Sequence, residues 1–179
     1  MARATGGSVM TSARMRLSLA AGLLSLATPG VVAQEQGGVA TYRNERHGFS
    51  LSYPASTFVP QPPPAAAEGR MFVSRDGNAR LLAGALPNAE GVNLRDYRSL
   101  VLQQSYQGAD IDYAPVGGTW FVLSGIRDGV MFYERVTFTC GGRLINSWAM
   151  LYPVAQRRVY DRIVEQVARS YHPGEGSCG

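Results

Sequence analysis

The 179-residue chain carries 17 basic residues, all arginine, against 13 acidic ones, for a formal charge of +4. Three of those arginines, Arg3, Arg14 and Arg16, lie in the first 33 residues, and without them 14 basic residues face 13 acidic ones interleaved along the chain. The clustered positive charge that a nucleic acid or an anionic membrane requires is therefore not there, and neither is expected as a partner.

The first 33 residues divide into a basic stretch with Arg14 and Arg16, an apolar run from Leu17 to Ala27 and a small-residue exit at Val31-Val32-Ala33. That order is the pattern of a signal peptide, with Met10 and Met15 as alternative starts. The apolar run of about 11 residues falls short of the roughly 20 that span a bilayer, and Thr28-Pro29-Gly30 breaks a helix there. Cleavage after Ala33 is expected, with no stable membrane anchor, residues 34–40 as a flexible mature terminus, and a periplasmic or secreted destination. The remaining 146 residues suit one domain, 41–171, followed by a tail, 172–179.

From Thr41 to Tyr53 the pattern is strand, polar turn, strand, with Phe49, Leu51 and Tyr53 alternating with Gly48, Ser50 and Ser52. Pro60 to Ala65 reads as a stiff exposed loop of polyproline type, a spacer or a docking site for aromatic grooves. Arg70–Arg75 and Asn78–Leu86 flank Asp76-Gly77 as a hairpin. Asn93 is placed to cap a helix, with Asp96 at the third position. Leu94, Tyr97, Leu100 and Val101 would share its buried face, and Gly108 would stop it.

Strands are then expected near Asp112–Val116, Thr119–Ile126, Val130–Cys140 and Arg143–Tyr152. The tight turns Asp128-Gly129 and Gly141-Gly142 make the last three a meander. Trp120, Val122 and Ile126 alternate with Phe121 and Leu123, so both faces are apolar and both need cover. The expectation is an α+β fold, a central antiparallel sheet flanked by helices on both faces, an α/β/α sandwich. From Val154 to Tyr171 runs a helix whose stripe includes Val159, Tyr160, Ile163, Val164 and Val167.

Two cysteines exported into an oxidising space usually bond, and a disulfide between Cys140 and Cys178 is expected. A strand leaving the Gly141-Gly142 turn covers roughly 30 Å. The final helix returns roughly 24 Å, which brings the tail back towards Cys140.

Chemistry-bearing constellations are sparse. His47, in a polar turn, and His172, in the tail, read as surface residues; a hydrolase built on His47 is the weaker alternative, since no nucleophile elbow accompanies it. Asp110 and Asp112, two apart, would share a strand face and offer at most a calcium candidate. No cofactor is expected. Glu134 is out of pattern, on the face of Val130, Phe132, Val136 and Phe138, where an unpaired carboxylate is costly. An ion pair with an arginine is expected, with Arg135, Arg143 and Arg157 to be sorted by register.

The run Gly48-Phe49-Ser50-Leu51-Ser52-Tyr53-Pro54, the strand Trp120 to Gly125 followed by Phe132-Tyr133-Glu134-Arg135, and the ending from Leu151-Tyr152-Pro153 to Tyr171 resemble PsbP-like domains, a superfamily that includes a eukaryotic Ran-binding protein and small exported bacterial proteins. The resemblance spans most of residues 40–171. It implies an antiparallel sheet between helices and a non-enzymatic binding or assembly role, and it supplies no ligand motif. The expected function is an exported, monomeric module that engages an envelope protein through a sheet edge, the Pro60–Pro64 loop or an exposed aromatic patch. The alternative is small-molecule or lipid binding in a pocket between sheet and helix lined by Trp148, Met150, Tyr152 and Tyr160.

Overall fold

The alternation around Leu51 is realised as a hairpin whose apolar side is fully buried: β1 (Val39–Arg43) pairs antiparallel with β2 (Ser50–Pro54), and Phe49 and Leu51 have no exposed surface. In this computed structural model the described residues are 38–66, 68–175 and 178. The segment read as an export signal, 1–33, lies outside them, as do residues 34–37. The domain's first strand begins at Val39, two residues before the expected boundary at 41.

After β2 come β3 (Phe58–Pro60), β4 (Gly69–Ser74), β5 (Arg80–Pro87) and α1 (Leu94–Ser105), then β6 (Asp110–Tyr113), β7 (Trp120–Arg127), β8 (Val130–Thr139), β9 (Leu144–Pro153) and α2 (Arg157–Ser170). β3 to β9 form a seven-stranded antiparallel sheet in the order β3-β4-β5-β9-β8-β7-β6. Two meanders, β3-β4-β5 and β6-β7-β8-β9, therefore meet at the β5–β9 seam. The fold is mixed α+β.

Local chemistry explains most boundaries. Asn93 accepts from the Asp96 backbone N–H at 3.0 Å and donates to the Asp96 carboxylate at 2.8 Å, which caps α1. Asp128 and Gly129 both take positive φ, as the tight β7–β8 turn demands. β3 was not expected, because prolines at 60 and 62–64 suggested only loop. Its three residues pair with β4 on one side alone, so the missing proline N–H falls on an open edge. β6 is shorter than expected and bulges between Ile111 and Tyr113, which breaks the alternation that would have put Asp110 and Asp112 on one face.

Two apolar clusters sit on alternate residues of the sheet strands. The larger joins Phe49, Leu51 and Tyr53 of the hairpin region, Phe72, Leu81, Trp148, Met150 and Tyr152 of the sheet, and Tyr160, Ile163, Val164 and Val167 of α2. The smaller joins Phe121, Leu123, Phe132, Val136 and Ile145 of the sheet to Val101 of α1 and to Tyr106 just after it. Two helix residues expected to be inside are not: Leu100 is exposed and Val159 is 60% exposed. Val159 stands about 100° round the helix from Tyr160, at the border of the buried stripe.

After α2 the tail returns across the hairpin, with Ser50 and His172 exchanging both backbone hydrogen bonds at 2.9 Å. Gly174 then lies so close to the backbone of His47 and Phe49 that no side chain would fit there. The buried Asn146 side chain accepts from Gly174 N–H at 2.9 Å and donates to its carbonyl at 3.1 Å. Further along the tail, the Cys178 sulfur is joined to that of Cys140 with the Cα atoms 5.2 Å apart.

Candidate functional site

The alternation along β9 sorts the predicted pocket residues. Leu144, Trp148, Met150 and Tyr152 point into the larger cluster beneath α2, where Tyr160 joins them. All four proposed lining residues, Trp148, Met150, Tyr152 and Tyr160, are buried core, and the Tyr152 hydroxyl is spent on Asp161 at 2.7 Å. Aromatic bulk there fills the space between sheet and helix rather than enclosing a void. The hollow is on the other side of the strand, at Ser147, Ala149 and Leu151.

That side carries α1 only towards the β7–β8 end. Over β4 and β5 the corresponding residues are bare: Met71 is 39% exposed, Leu82 37% and Leu86 40%. The result is an open groove of about 580 Å³, walled by Met71, Leu82, Ala149 and Leu151, with Pro62 and Pro64 of the proline-rich loop beside it. Register places Met71 opposite Leu82, Leu82 opposite Ala149 and Ala149 opposite Glu134, a row that runs from apolar to acidic. A second row, Gly69 opposite Gly84 and Gly84 opposite Ser147, has almost no side chains. A Cβ at Gly69 would collide with the Ala83 carbonyl, so the close approach of β4 to β5 requires glycine there.

At the acidic end of the first row, Glu134 Oε2 accepts a hydrogen bond from the Tyr106 hydroxyl at 2.7 Å. The Tyr106 ring stacks on Phe132 with centroids 3.9 Å apart. The expected arginine partner is absent: among the described residues no ion pair includes Glu134. Arg135 points to the opposite side of β8, where its guanidinium lies over the Trp120 ring, and Arg157 pairs with Asp161. A tyrosine hydroxyl from the end of α1 supplies the donor instead. Burial pushes the Glu134 carboxyl above its ordinary 4.5, against the opposing pull of the Tyr106 bond. The same burial, helped by the Glu134 charge, raises the Tyr106 and Tyr97 hydroxyls.

A carboxyl with a raised folded-state pKa stabilises most when it is protonated. Its contribution is complete below the unfolded value and is lost as pH rises through the folded one. Glu134→Gln keeps an acceptor for Tyr106 and removes the charge. Urea midpoints of the two proteins are expected to converge near pH 4, with the Gln variant gaining relative stability as pH approaches 7. A wild type that gained on the variant with rising pH would contradict the burial argument.

His47 departs from its expected surface position: it is 6% exposed, its backbone N–H donates to Asn44 Oδ1 at 2.8 Å, and Nε2 finds no hydrogen-bond partner among the described residues. Burial, and then the neighbouring Arg46 charge, lower its pKa and favour the neutral ring. Two further hollows near it, one of about 280 Å³ and one of about 700 Å³, are lined by residues of mixed sign, including Arg46 and Glu175. Arg46 is held there by the Ala66 carbonyl at 2.6 Å and by Glu68 at 3.8 Å.

Sequence reasoning missed Tyr106, Met71, Leu82 and the Gly69–Gly84 pair. The available signals were the misfit of Glu134 in an apolar stripe and the small residues Ser147 and Ala149 alternating with large ones in β9.

No protein-family model matches the chain, and no curated protein matches it. Solved structures do. The solution structure of cyanobacterial PsbP from Synechocystis sp. PCC 6803 superposes with a TM-score of 0.58 at 17% identity, over 83% of this chain and 98% of that one. The Ran-binding protein Mog1p of Saccharomyces cerevisiae superposes with a TM-score of 0.51 at 10% identity, over 74% of this chain and 94% of that one. A Mog1 point mutant gives 0.50 at 10% identity, over 71% and 91%. With its seven-stranded antiparallel sheet and two helices matched across most of its length, the chain has the PsbP-like fold.

Proposed function

We propose that this chain is an exported, non-enzymatic protein-binding or assembly module of the cell envelope, and that the bare side of β4, β5 and β9 is its binding face. The observation that carries the reading is the exposed pair Met71 and Leu82, opposite each other across β4 and β5 and lining the groove, with exposed Leu86 further along β5, since exposed apolar surface gathered on one side of a folded domain marks an interaction site. A protein of this fold, Mog1p, is described as Ran-binding, which supports interaction as a use of the scaffold. The signal-like order of residues 14–33 and the joined sulfurs of Cys140 and Cys178 support an oxidising compartment.

The test is crosslinking of the tagged chain in its own cells, followed by identification of the crosslinked protein and comparison with Leu82→Glu. Leu82 is exposed, so the variant is expected to fold normally, while the crosslinked yield falls at least tenfold. Equal yields would remove the β4–β5–β9 face from consideration. Turnover of ester, peptide, glycoside or phosphate substrates by the purified protein would overturn the non-enzymatic reading.

The volume of the groove also favours a second reading, a small molecule or lipid held on this side of β9, since about 580 Å³ is within the usual range for ligand sites. Native mass spectrometry of protein taken from its own cells separates the two, because a retained small ligand supports the second.

A further inference from the structure

Glu134 presents two carboxyl oxygens, and only Oε2 is used, by the Tyr106 hydroxyl. Oε1 accepts no hydrogen bond from the described residues, and Glu134 is one of the residues that line the groove. The cation that shares the groove, Arg70, is committed elsewhere: it donates to the Gln61 carbonyl at 2.9 Å and lies over the Tyr42 ring. A half-used carboxyl at the foot of an apolar wall is costly unless something else completes it.

We infer that the groove receives a short apolar segment of a partner protein carrying one lysine or arginine, with the cation seated on Glu134 Oε1 and the apolar side chains over Ala149, Leu82 and Met71. The inference rests on the protein-binding reading above and gives it a ligand chemistry. Charge complementarity supplies the cation. The row supplies the spacing: from β8 to β4 is three strand intervals, roughly 14 Å, the reach of about four extended residues. Gly69, Gly84 and Ser147 also line the groove, so its floor beside that row carries little side-chain bulk. Exposed apolar side chains also stand outside the groove, Leu86 on β5 and Val59 on β3, a spread wider than a small molecule needs and suited to a polypeptide.

The probe is an equimolar pool of blocked hexapeptides with one fixed arginine and five positions drawn from Ala, Leu, Val and Phe, set against the same pool with glutamine in place of the arginine. Binding to the disulfide-intact chain is followed by amide chemical shifts and by titration calorimetry. The arginine pool is expected to bind about tenfold more tightly than the glutamine pool, with shifts at Ala149, Leu82 and Met71. Glu134→Gln should abolish that preference while leaving the weaker apolar binding, and Leu82→Glu should abolish binding of both pools. Failure of both pools to bind, or an arginine preference that survives Glu134→Gln, overturns the inference. If the pools fail while Leu82→Glu still reduces crosslinking in cells, the binding face stands and only its ligand chemistry falls. A small molecule retained in the groove and displaced by neither pool would also overturn it.

Discussion

Replacing Trp148 with alanine is expected to lower unfolding stability by about 4 kcal/mol. The indole is 1% exposed, lies 5.0 Å from the Tyr133 ring and 6.2 Å from that of Tyr171, and sits in the middle of β9 beneath α2. Its N–H has no hydrogen-bond partner among the described residues, so the loss is one of packing and apolar burial. Set against a total of about 5–15 kcal/mol for a domain, a change of this size brings the chain close to unfolding at growth temperature. Trp148→Phe, which keeps most of the volume, should cost less than half as much. Urea midpoints for the pair decide between a packed core and a lined cavity: if Trp148 bordered an open pocket, its truncation would cost under about 1 kcal/mol.

Converting both Cys140 and Cys178 to serine is expected to cost about 2–4 kcal/mol. The bridge closes a loop with a sequence separation of 38, and its chief effect is on the unfolded chain, which it restricts. The native tail should stay docked as far as Gly174, since the two bonds from Asn146 and the Thr139 hydroxyl bond to the Gly174 carbonyl at 2.6 Å do not depend on sulfur. Hydrogen exchange is the discriminating measurement. Amides of α2 and β9 should keep their protection pattern at a uniformly lower ceiling, while the Cys178→Ser amide exchanges freely. If β9 lost protection selectively, the disulfide would be holding the sheet itself together.

Much of the architecture was legible because its signals are local. Alternation marked β2 and β7, positive-φ pairs marked the turn at Asp128-Gly129, and Asn93 marked the start of α1. Period two also showed that β7 is apolar on both sides. It could not show how far each side is covered, because cover is set by where α1 comes to rest, and α1 reaches only part of the sheet. A pocket between sheet and helix at Trp148 is thus as compatible with the pattern as a groove on the other side of β9; large residues fill the first space, and the hollow lies over small ones. The same limit applied to Glu134. Its burial followed from the strand pattern, but its partner, Tyr106, is 28 positions away and arrives by tertiary packing. His47 went inside for a similar reason, since Gly174 and the returning tail cover a turn that looks solvent-exposed in sequence.

The β5–β9 seam has a kinetic consequence. Each meander is assembled from neighbours in sequence, whereas pairing Leu82 with Ala149 must wait for α1 and β6–β8 to be threaded between them. Closure of that seam is expected to be the entropically most expensive pairing of the sheet, and the seam the expected line of sub-global opening. Because the groove floor straddles it, the segment proposed to lie from Met71 to Glu134 would clamp the two halves of the sheet together, and its occupancy would lengthen the lifetime of the folded domain.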